Sequence, residues 1–426
     1  MVPLISEKDV RIPMRVLIIG NGAREHAIAK KLAKEEVELV AAMAKLNPGI
    51  ATLCSNVDLF DLNKPENYAK YKDVDIAFIG PEAPLAVGVA DYLEGIDVPT
   101  VGPLKDSAKL EWSKAYARTV LAENGIVGNP KYRICKTQAD VKEFLDKQPE
   151  VAVKPDVLTG GKGVKVTGQH LKNRAEVEDY ATERIRDDGL VVIEEKLVGK
   201  EFTLQAFSDG NTLEFMPLVR DFKRAYDYDL GPNTGSMGSF SCPDHEMPDL
   251  DKDAVEKGKQ IMRETIEAMR RTNAAYKGVL YGGFMVTNKD TYLIEYNCRF
   301  GDPEAINVLC LIEKPLTEVG YGIVEGKLPS FCFEKQATVC VYIVPEGYPE
   351  SPLKDQPISI GSNLQSDVYY ASVYDDNGII KTTTSRAIAL LSKGDTVSEA
   401  RNRVYGDVGK VSGRLHYRTD IAVGIQ

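Results

Sequence analysis

The run RVLIIG at 15–20 is almost wholly apolar, too short for a buried helix, and stops at a glycine; DVDIAFIG at 73–80 repeats the device. Short runs without polar alternation are strands covered on both faces, which is the pattern of a central parallel sheet. AREHAIAKKLAKE (23–35) follows with helical spacing. VELVAAM reads as a second strand, DVDIAFIG as a third, APLAVGVADYLEG as a helix and VPTVGP (98–103) as a fourth strand. This alternation predicts a doubly wound α/β domain over about the first 105 residues. Residues 1–13, MVPLISEKDVRIP, carry charges and no long apolar run, so they read as a polar extension and not as a signal peptide.

Beyond that domain the pattern changes. KDSAKLEWSKAYARTVLAENG (105–125) reads as one long amphipathic helix ending at Gly125. IVGNPKY is a loop and a boundary. From 132 strands dominate, with YRIC, VAVKP, GVKVTG and LVVIEEKL, and TQADVKEFLDKQ as a helix among them. EFTLQAFSDGNTLEFMPLVRDFK alternates like a hairpin about Asp209-Gly210. DYDLGPNTGSMGSFS reads as a polar loop, 251–273 as a helix, and VLYGGFMVTNKDTYLIEYN as a hairpin turning at 288–290. ATVCVYIVPEGYP (337–349) opens a small β-rich C-terminal domain. The expected divisions are 1–13, 14–111, 112–330 and 335–426, in a multidomain chain mixing α/β and α+β parts.

The chain has 426 residues, and its net charge of −10 argues against sequence-independent binding to nucleic acid or to an anionic membrane. A local basic pocket for a small phosphorylated ligand is compatible with that charge. No segment approaches the roughly 20 apolar residues of a membrane span. Seven cysteines form no CxxC pair, and four histidines are scattered without zinc spacing. A reducing, cytoplasmic setting is the expectation.

Four stretches carry candidate chemistry. VKPDVLTGGKGVKV (153–166) is glycine-rich between two strands. It is not a Walker A loop: Asp156 stands where the first glycine belongs, Lys162 is followed by Gly163, and no helix follows. Two readings stay open on these residues alone. One is a turn that brings backbone N–H groups, Lys154 and Lys162 to an anion; the other is a hairpin with solvated lysines. VVIEEKLVGKEF (191–202) offers a backbone edge to a base and Glu201 to ribose hydroxyls, though an amphipathic strand edge explains it as well in isolation. In YLIEYNCRFGDPE (292–304), alternation puts Glu295 and Asn297 on one face, about 7 Å apart. Both are hard oxygen donors of the kind Mg²⁺ shares with phosphates and water. Arg299 follows, able to meet a phosphoryl group bidentately. In GNGAREHA (20–27), a dinucleotide fingerprint needs a small residue where Glu25 stands, so NAD is disfavoured. Gly20, Asn21 and Gly22, with Arg24 and with Glu82 at the end of a neighbouring strand, suit a sugar 5-phosphate at a helix N-terminus. Glycines needed only for packing are the alternative.

Taken together, GNGAREHA, GPEAPL (80–85), LEWSKAYA (110–117), KPDVLTGGKGV, EEKLVGKEF, GPNTGSMG (231–238) and EYNCRFGDPE (295–304) resemble the ATP-grasp superfamily. Within it they are most similar to the phosphoribosylamine–glycine ligase family, over most of 14–304. The resemblance implies an N-terminal substrate domain, an ATP-grasp fold over 112–330 with a mobile β-hairpin lid at about 130–200, and a small C-terminal domain. It implies ligation of glycine to 5-phosphoribosylamine with ATP and Mg²⁺ or Mn²⁺, by a monomer or small homo-oligomer. By the same resemblance Lys114 and Lys154 contact phosphates, and Gly160, Gly161, Lys162 and Gly163 cover them. Glu194, Lys196 and Leu197 meet adenine, Glu201 meets ribose, and Glu295 and Asn297 hold the metal. Arg299 and Lys162 stabilise the transferring phosphoryl, Asp302 takes the glycine amino group, and Lys223, Arg224, Asn233, Thr234 and Gly235 shape the acceptor site. Trp112 and Phe222 stand where the family usually has glycine and histidine.

Overall fold

The computed structural model describes residues 13–158, 160, 163–272 and 274–425. The expectations for residues 1–12, Gly161 and Lys162 lie outside the described residues.

The first domain is a five-stranded parallel sheet in the order Asn56–Leu59, Val37–Met43, Met14–Ile19, Ile76–Ile79, Thr100–Val101. All four residues of Ile76–Ile79 are buried, as are the last four of Met14–Ile19, which is why these strands read as unbroken apolar runs. Strand order reverses between Met14–Ile19 and Ile76–Ile79, the two strands followed by Gly20 and Gly80. A crevice therefore opens at their carboxyl ends. The strand Asn56–Leu59 (NVDL) escapes sequence reading because none of its four residues is buried. The expected helix in APLAVGVADYLEG is two short helices, Glu82–Val87 and Val89–Glu94, separated at Gly88 with φ of +89°.

The helix expected over 105–125 is likewise broken. Lys109–Trp112 and Lys114–Glu123 meet at Ser113, whose extended backbone makes it the N-cap of the second, its Oγ accepting the Tyr116 N–H. The residue that rules out a Walker A loop completes this cap: Asp156 accepts from Ser113 Oγ at 3.0 Å and from the Ala115 N–H at 2.8 Å.

Residues 132–195 form a four-stranded antiparallel sheet, ordered Tyr132–Cys135, Val191–Glu195, Val151–Pro155, Lys165–Val166. The helices Gln138–Lys147 and Arg174–Asp188 belong with it; the second, with only two buried residues, gives too weak a stripe to be read from sequence. This unit has a hydrophobic core of its own, built on Cys135, Val141, Val151, Val153, Val177, Val191 and Ile193. The glycine-rich stretch joins its strands Val151–Pro155 and Lys165–Val166.

A second antiparallel sheet orders Leu213–Phe215, Lys200–Asp209, Lys277–Val286 and Thr291–Asn297, with the helix Lys252–Arg271 packed on it. DYDLGPNTGSMGSFS is not a loop throughout. Arg224–Tyr226 pairs with Leu230–Asn233, and Gly238–Ser241 is a fully buried strand. Its serines hide it from a hydrophobicity reading, yet they are satisfied inside. Ser239 Oγ donates to Asn307 Oδ1 at 2.5 Å, and Ser241 shares a 2.6 Å hydroxyl contact with Thr338. This strand pairs with Ala337–Pro345, so the C-terminal sheet, which continues to Ile388–Gly394 and Asp367–Tyr370, grows directly from the middle of the chain. The helix Leu316–Glu325 covers the first domain so closely that a Cβ on Gly320 would stand 2.8 Å from Phe78.

Candidate active site

The strand Thr291–Asn297 carries the centre of the site. Its pairing with Lys277–Val286 slips between Gly283 and Phe284, leaving Ile294 as a bulge. Glu295 and Asn297 lie beyond it on one face, both half-buried. The bulge turns the Ile294 carbonyl the other way, where it accepts from Arg118 Nη2 and from Lys154 Nζ, each at 2.8 Å. Glu194 completes this buried group: Arg118 meets it at 2.6 and 2.9 Å and Lys154 at 2.8 Å. Burial opposes ionisation of Glu194, but the two cations outweigh it and hold its carboxyl below the usual range. The Glu194 carboxylate, expected at adenine, is thus committed to Arg118 and Lys154. Lys154 retains one N–H beyond its two partners.

Around this floor stand the other nucleotide candidates. Lys114 Nζ donates to the Val157 carbonyl at 3.1 Å. Lys196 Nζ bridges Glu150 and the Thr167 carbonyl at 3.1 and 2.8 Å, tying the base of the glycine hairpin. Glu201 pairs with Lys223 at 2.9 Å. Leu197 is part-buried beside them; Gly160 has φ of +56° with open space where a Cβ would be, and Gly163 accepts from the Tyr180 hydroxyl at 2.6 Å. Trp112 packs against the central core, its indole N–H buried without a partner among the described residues.

Arg299 joins this face to the first domain. Its Nη2 meets Asn297 Oδ1 and Glu111 at 3.0 Å each, and its Nε lies 3.4 Å from Glu82. Burial works against the charge of Arg299, but Glu111 and Glu82 more than restore it. Burial likewise opposes ionisation of Glu82, and Arg299 and Arg24 reverse that, so its pKa falls. Arg24 donates to the Phe300 carbonyl at 3.0 Å, the same oxygen that Arg299 reaches at 3.2 Å.

The glycine turn of the first domain has a structural occupant. Glu25 accepts the Gly22 N–H at 2.5 Å, and a Cβ on Gly80 would stand 2.1 Å from its Oε1. The smallness of Gly20, Gly22 and Gly80 therefore makes room for Glu25, and the expected phosphate donor at Gly22 is already engaged. Asn21 is engaged as well, its Oδ1 accepting the Ala44 N–H at 3.2 Å.

The acceptor candidates gather around residues 221–236. Thr234 Oγ1 donates to the Lys223 carbonyl at 2.8 Å, Arg224 donates to the Gly231 carbonyl at 2.9 Å, and Asn233 pairs in register with Arg224. Phe222 packs under the Arg418 guanidinium, 5.1 Å from its ring centre. Asp302 lies 3.0 Å from Arg386 Nη2 and accepts from the Tyr342 hydroxyl. Glu304, buried behind it, accepts from Tyr281 at 3.1 Å. Burial, reinforced by Asp221, lifts the Glu304 pKa to about 7. Sequence reading missed Glu111, Arg118, Asp221, Glu304 and Arg386. Glu111 and Glu304 lay inside quoted motifs, LEWSKAYA and EYNCRFGDPE, whereas Arg118, Asp221 and Arg386 lay outside all of them.

Family models match in three successive pieces: phosphoribosylglycinamide synthetase N domain over 14–111, ATP-grasp (A) domain over 112–305 and C domain over 338–424. The chain belongs to the phosphoribosylglycinamide synthetase family. It is 45% identical to the phosphoribosylamine–glycine ligase of Methanosarcina acetivorans, over 96% of this chain and 94% of that one. It is 42% identical to the enzyme of that name from Pyrococcus abyssi over the same shares. Among solved structures, the phosphoribosylamine–glycine ligase of Thermotoga maritima superposes with a TM-score of 0.82 at 28% identity, covering 96% of this chain and all of that one. A biotin carboxylase from Campylobacter jejuni shares the fold at 14% identity, with a TM-score of 0.72 over 96% and 94% of the two chains. In this synthetase family member the α/β and ATP-grasp architecture expected from sequence is the one observed.

Proposed function

We propose that the chain ligates glycine to 5-phosphoribosylamine with ATP, giving glycinamide ribonucleotide, ADP and phosphate in purine biosynthesis. The observation that carries this reading, beside family membership, is Arg299. One guanidinium touches Asn297 on the strand face, Glu111 on the helix Lys109–Trp112 and Glu82 in the first-domain crevice, so the phosphoryl and acceptor regions share one charge network.

A carboxylate is a poor electrophile. The glycine carboxylate takes the γ-phosphoryl group of ATP, and the resulting glycyl phosphate is attacked by the amine of phosphoribosylamine, with phosphate leaving. The protein's work is positioning and charge neutralisation. Glu295 and Asn297, two hard oxygen donors on one strand face, would hold a divalent ion, Mg²⁺ or Mn²⁺, which would supply positive charge to the phosphates. Arg299 and Lys162 are assigned to the transferring phosphoryl. Lys114, the remaining N–H of Lys154, and Gly160, Gly161 and Gly163 are assigned to the phosphate cover. Lys196, Leu197 and Glu201 are assigned to the nucleoside, Glu194 holding Lys154 in place. Arg24, Glu82, Lys223, Arg224, Asn233, Thr234 and Gly235 are assigned to the phosphoribosylamine side. The separate core of the 132–195 unit supports its closing as a body, which would keep water from the acyl phosphate. Seven unpaired cysteines support a reducing, cytoplasmic setting, and a monomer or small homo-oligomer is proposed.

ADP release tests this directly. Turnover requiring glycine and phosphoribosylamine together supports the ligase. Turnover with formate or bicarbonate instead places the chain with other ATP-grasp enzymes, and ATP binding without turnover makes it a regulatory protein.

A further inference from the structure

The hairpin of Arg224–Tyr226 and Leu230–Asn233 pairs with no other strand among the described residues, and Ala225 is its one buried residue. A lone two-stranded hairpin is marginal in water. Its turn is strained as well. Tyr228 has φ of +60°, a left-handed conformation that is an outlier for a bulky residue, and Asp229 follows at +54°. The Tyr228 side chain is exposed, so no packing of its ring accounts for that conformation.

The segment 416–420 holds the hairpin instead. His416 Nε2 donates to the Ala225 carbonyl at 3.1 Å, and its ring lies 5.5 Å from that of Tyr226. The buried Arg418 donates to the Arg224 carbonyl at 3.1 Å and meets Asp229 at 2.8 Å. Thr419 donates to Asp227 from its N–H at 2.8 Å and from its hydroxyl at 2.5 Å. The Asp420 carboxylate receives both edges of Arg418, at 2.8 and 2.7 Å, and the Tyr228 N–H at 2.8 Å. Each residue from 224 to 229 thus meets this one segment. The segment is fixed in turn by the helix Val397–Val408. Arg401 donates to the Thr419 and Ile421 carbonyls at 2.6 and 3.0 Å, and the Tyr405 hydroxyl to the Arg418 carbonyl at 2.7 Å. The far end of the hairpin is anchored separately, by Arg386 on the carbonyls of Gly235 and Ser236.

We propose that residues 416–420 are a clasp that holds the strained turn and so positions the acceptor hairpin, with Arg418, Thr419 and Asp420 as positioning residues for phosphoribosylamine. Arg224 and Asn233 face each other across the hairpin, so they move with it as a unit. A hairpin this exposed would otherwise be ordered at the expense of acceptor binding; the clasp orders it beforehand. The inference rests on the ligase reading and gives the C-terminal part of the chain a task in the site.

The test uses the full chain. Asp420→Ala removes the acceptor of the Tyr228 N–H and one partner of Arg418. The KM for phosphoribosylamine is expected to rise about tenfold or more, with the KM values for ATP and glycine within about twofold of wild type. Thr419→Val removes one hydroxyl contact and should move the same KM in the same direction by less, which serves if Asp420→Ala does not fold. Tyr228→Asn added to either variant should recover most of the loss, because asparagine takes the left-handed conformation readily. A general loss of stability would not be recovered in this way. A folded variant with an unchanged KM for phosphoribosylamine, or with equal rises for all three substrates, overturns the proposal, as does a rise that Tyr228→Asn leaves in place. Amide exchange reads the clasp in the wild type. The N–H groups of Tyr228 and Thr419 should be protected, and that of Tyr228 should lose protection in Thr419→Val. Exchange at Tyr228 as fast as in an open loop overturns the proposal. Wild-type turnover is scored separately: turnover with an unmoved acceptor KM removes this inference alone, and no turnover removes the ligase reading and this inference with it.

Discussion

Glu194 is held from two sides by Arg118 and Lys154, in a group with almost no solvent. Replacing it by alanine leaves two buried cations facing each other, so Glu194→Ala should cost about 3–5 kcal/mol in a urea titration. A variant with the wild-type midpoint would show the group to be solvated. Glu295 and Asn297 are half-buried, with one hydrogen bond from Arg299 to Asn297 as their side-chain tie among the described residues, so Glu295→Ala and Asn297→Ala should lower kcat/KM roughly 100-fold or more with little change in melting temperature. His26 sets a different dependence. Burial, with Lys30 adding to it, pulls its pKa down from 6.5 to about 3, and its Nδ1 accepts the Tyr370 N–H at 2.9 Å. The folded chain keeps this ring neutral while the unfolded chain protonates it. Stability from His26 is therefore complete above about pH 6.5 and falls as pH drops toward 3, by up to about 1.4 kcal/mol per pH unit. Titrating stability against pH in His26→Gln should flatten that acid limb; an unchanged limb would assign it to other groups. At this scale the sequence told much about residues clustered on and just after one strand, such as Glu295, Asn297 and Arg299, because strand alternation alone puts the first two on one face. It told nothing of Arg386, which meets the Asp302 carbonyl from 84 residues further on.

Among the elements, the 132–195 unit is distinguished by its own core, and beside the Arg118–Glu194 pair it meets the helix Lys114–Glu123 through a cap. Asp156 accepts the Ala115 N–H while Ser113 accepts that of Tyr116. Asp156→Ala should cost about 1 kcal/mol and, on the proposed function, raise the KM for ATP while leaving the KM for glycine near wild type, since the cap joins the 132–195 unit to the helix Lys114–Glu123 and not to residues 221–236. Equal rises in both would mean that the cap serves the whole site. The break at Ser113 was invisible to periodicity, because the carboxylate that stabilises it, Asp156, arrives from more than 40 residues further along the chain. The strand Gly238–Ser241 was hidden for another reason: its polar atoms find partners only when Asn307 and Thr338 are brought beside them.

Across the whole molecule, the parts are less separable than the sequence suggests. The strand Ala337–Pro345 lies between Gly238–Ser241 and Ile388–Gly394, so a chain ending at 334 would leave a buried strand with an open edge. Such a truncation should aggregate or lose cooperative unfolding; a soluble, cooperative fragment would show the C-terminal part to be an independent appendage. The α/β alternation of the first 105 residues was legible because the central parallel strands, such as Ile76–Ile79, are buried on both faces and apolar, whereas sheet sharing between distant segments leaves no local pattern. What unites the scales is the proposed arrangement, in which the glycine hairpin on one side and the Glu295–Asn297 face on the other would hold the phosphates, with Arg299 linking them to the first-domain crevice. The most direct test is a crystal structure with ADP, Mg²⁺ and glycine. The arrangement predicts Mg²⁺ about 2.1 Å from oxygens of Glu295 and Asn297, shared with the nucleotide phosphates under residues 160–163. Phosphates bound away from that face, with Mg²⁺ touching neither residue, would contradict it.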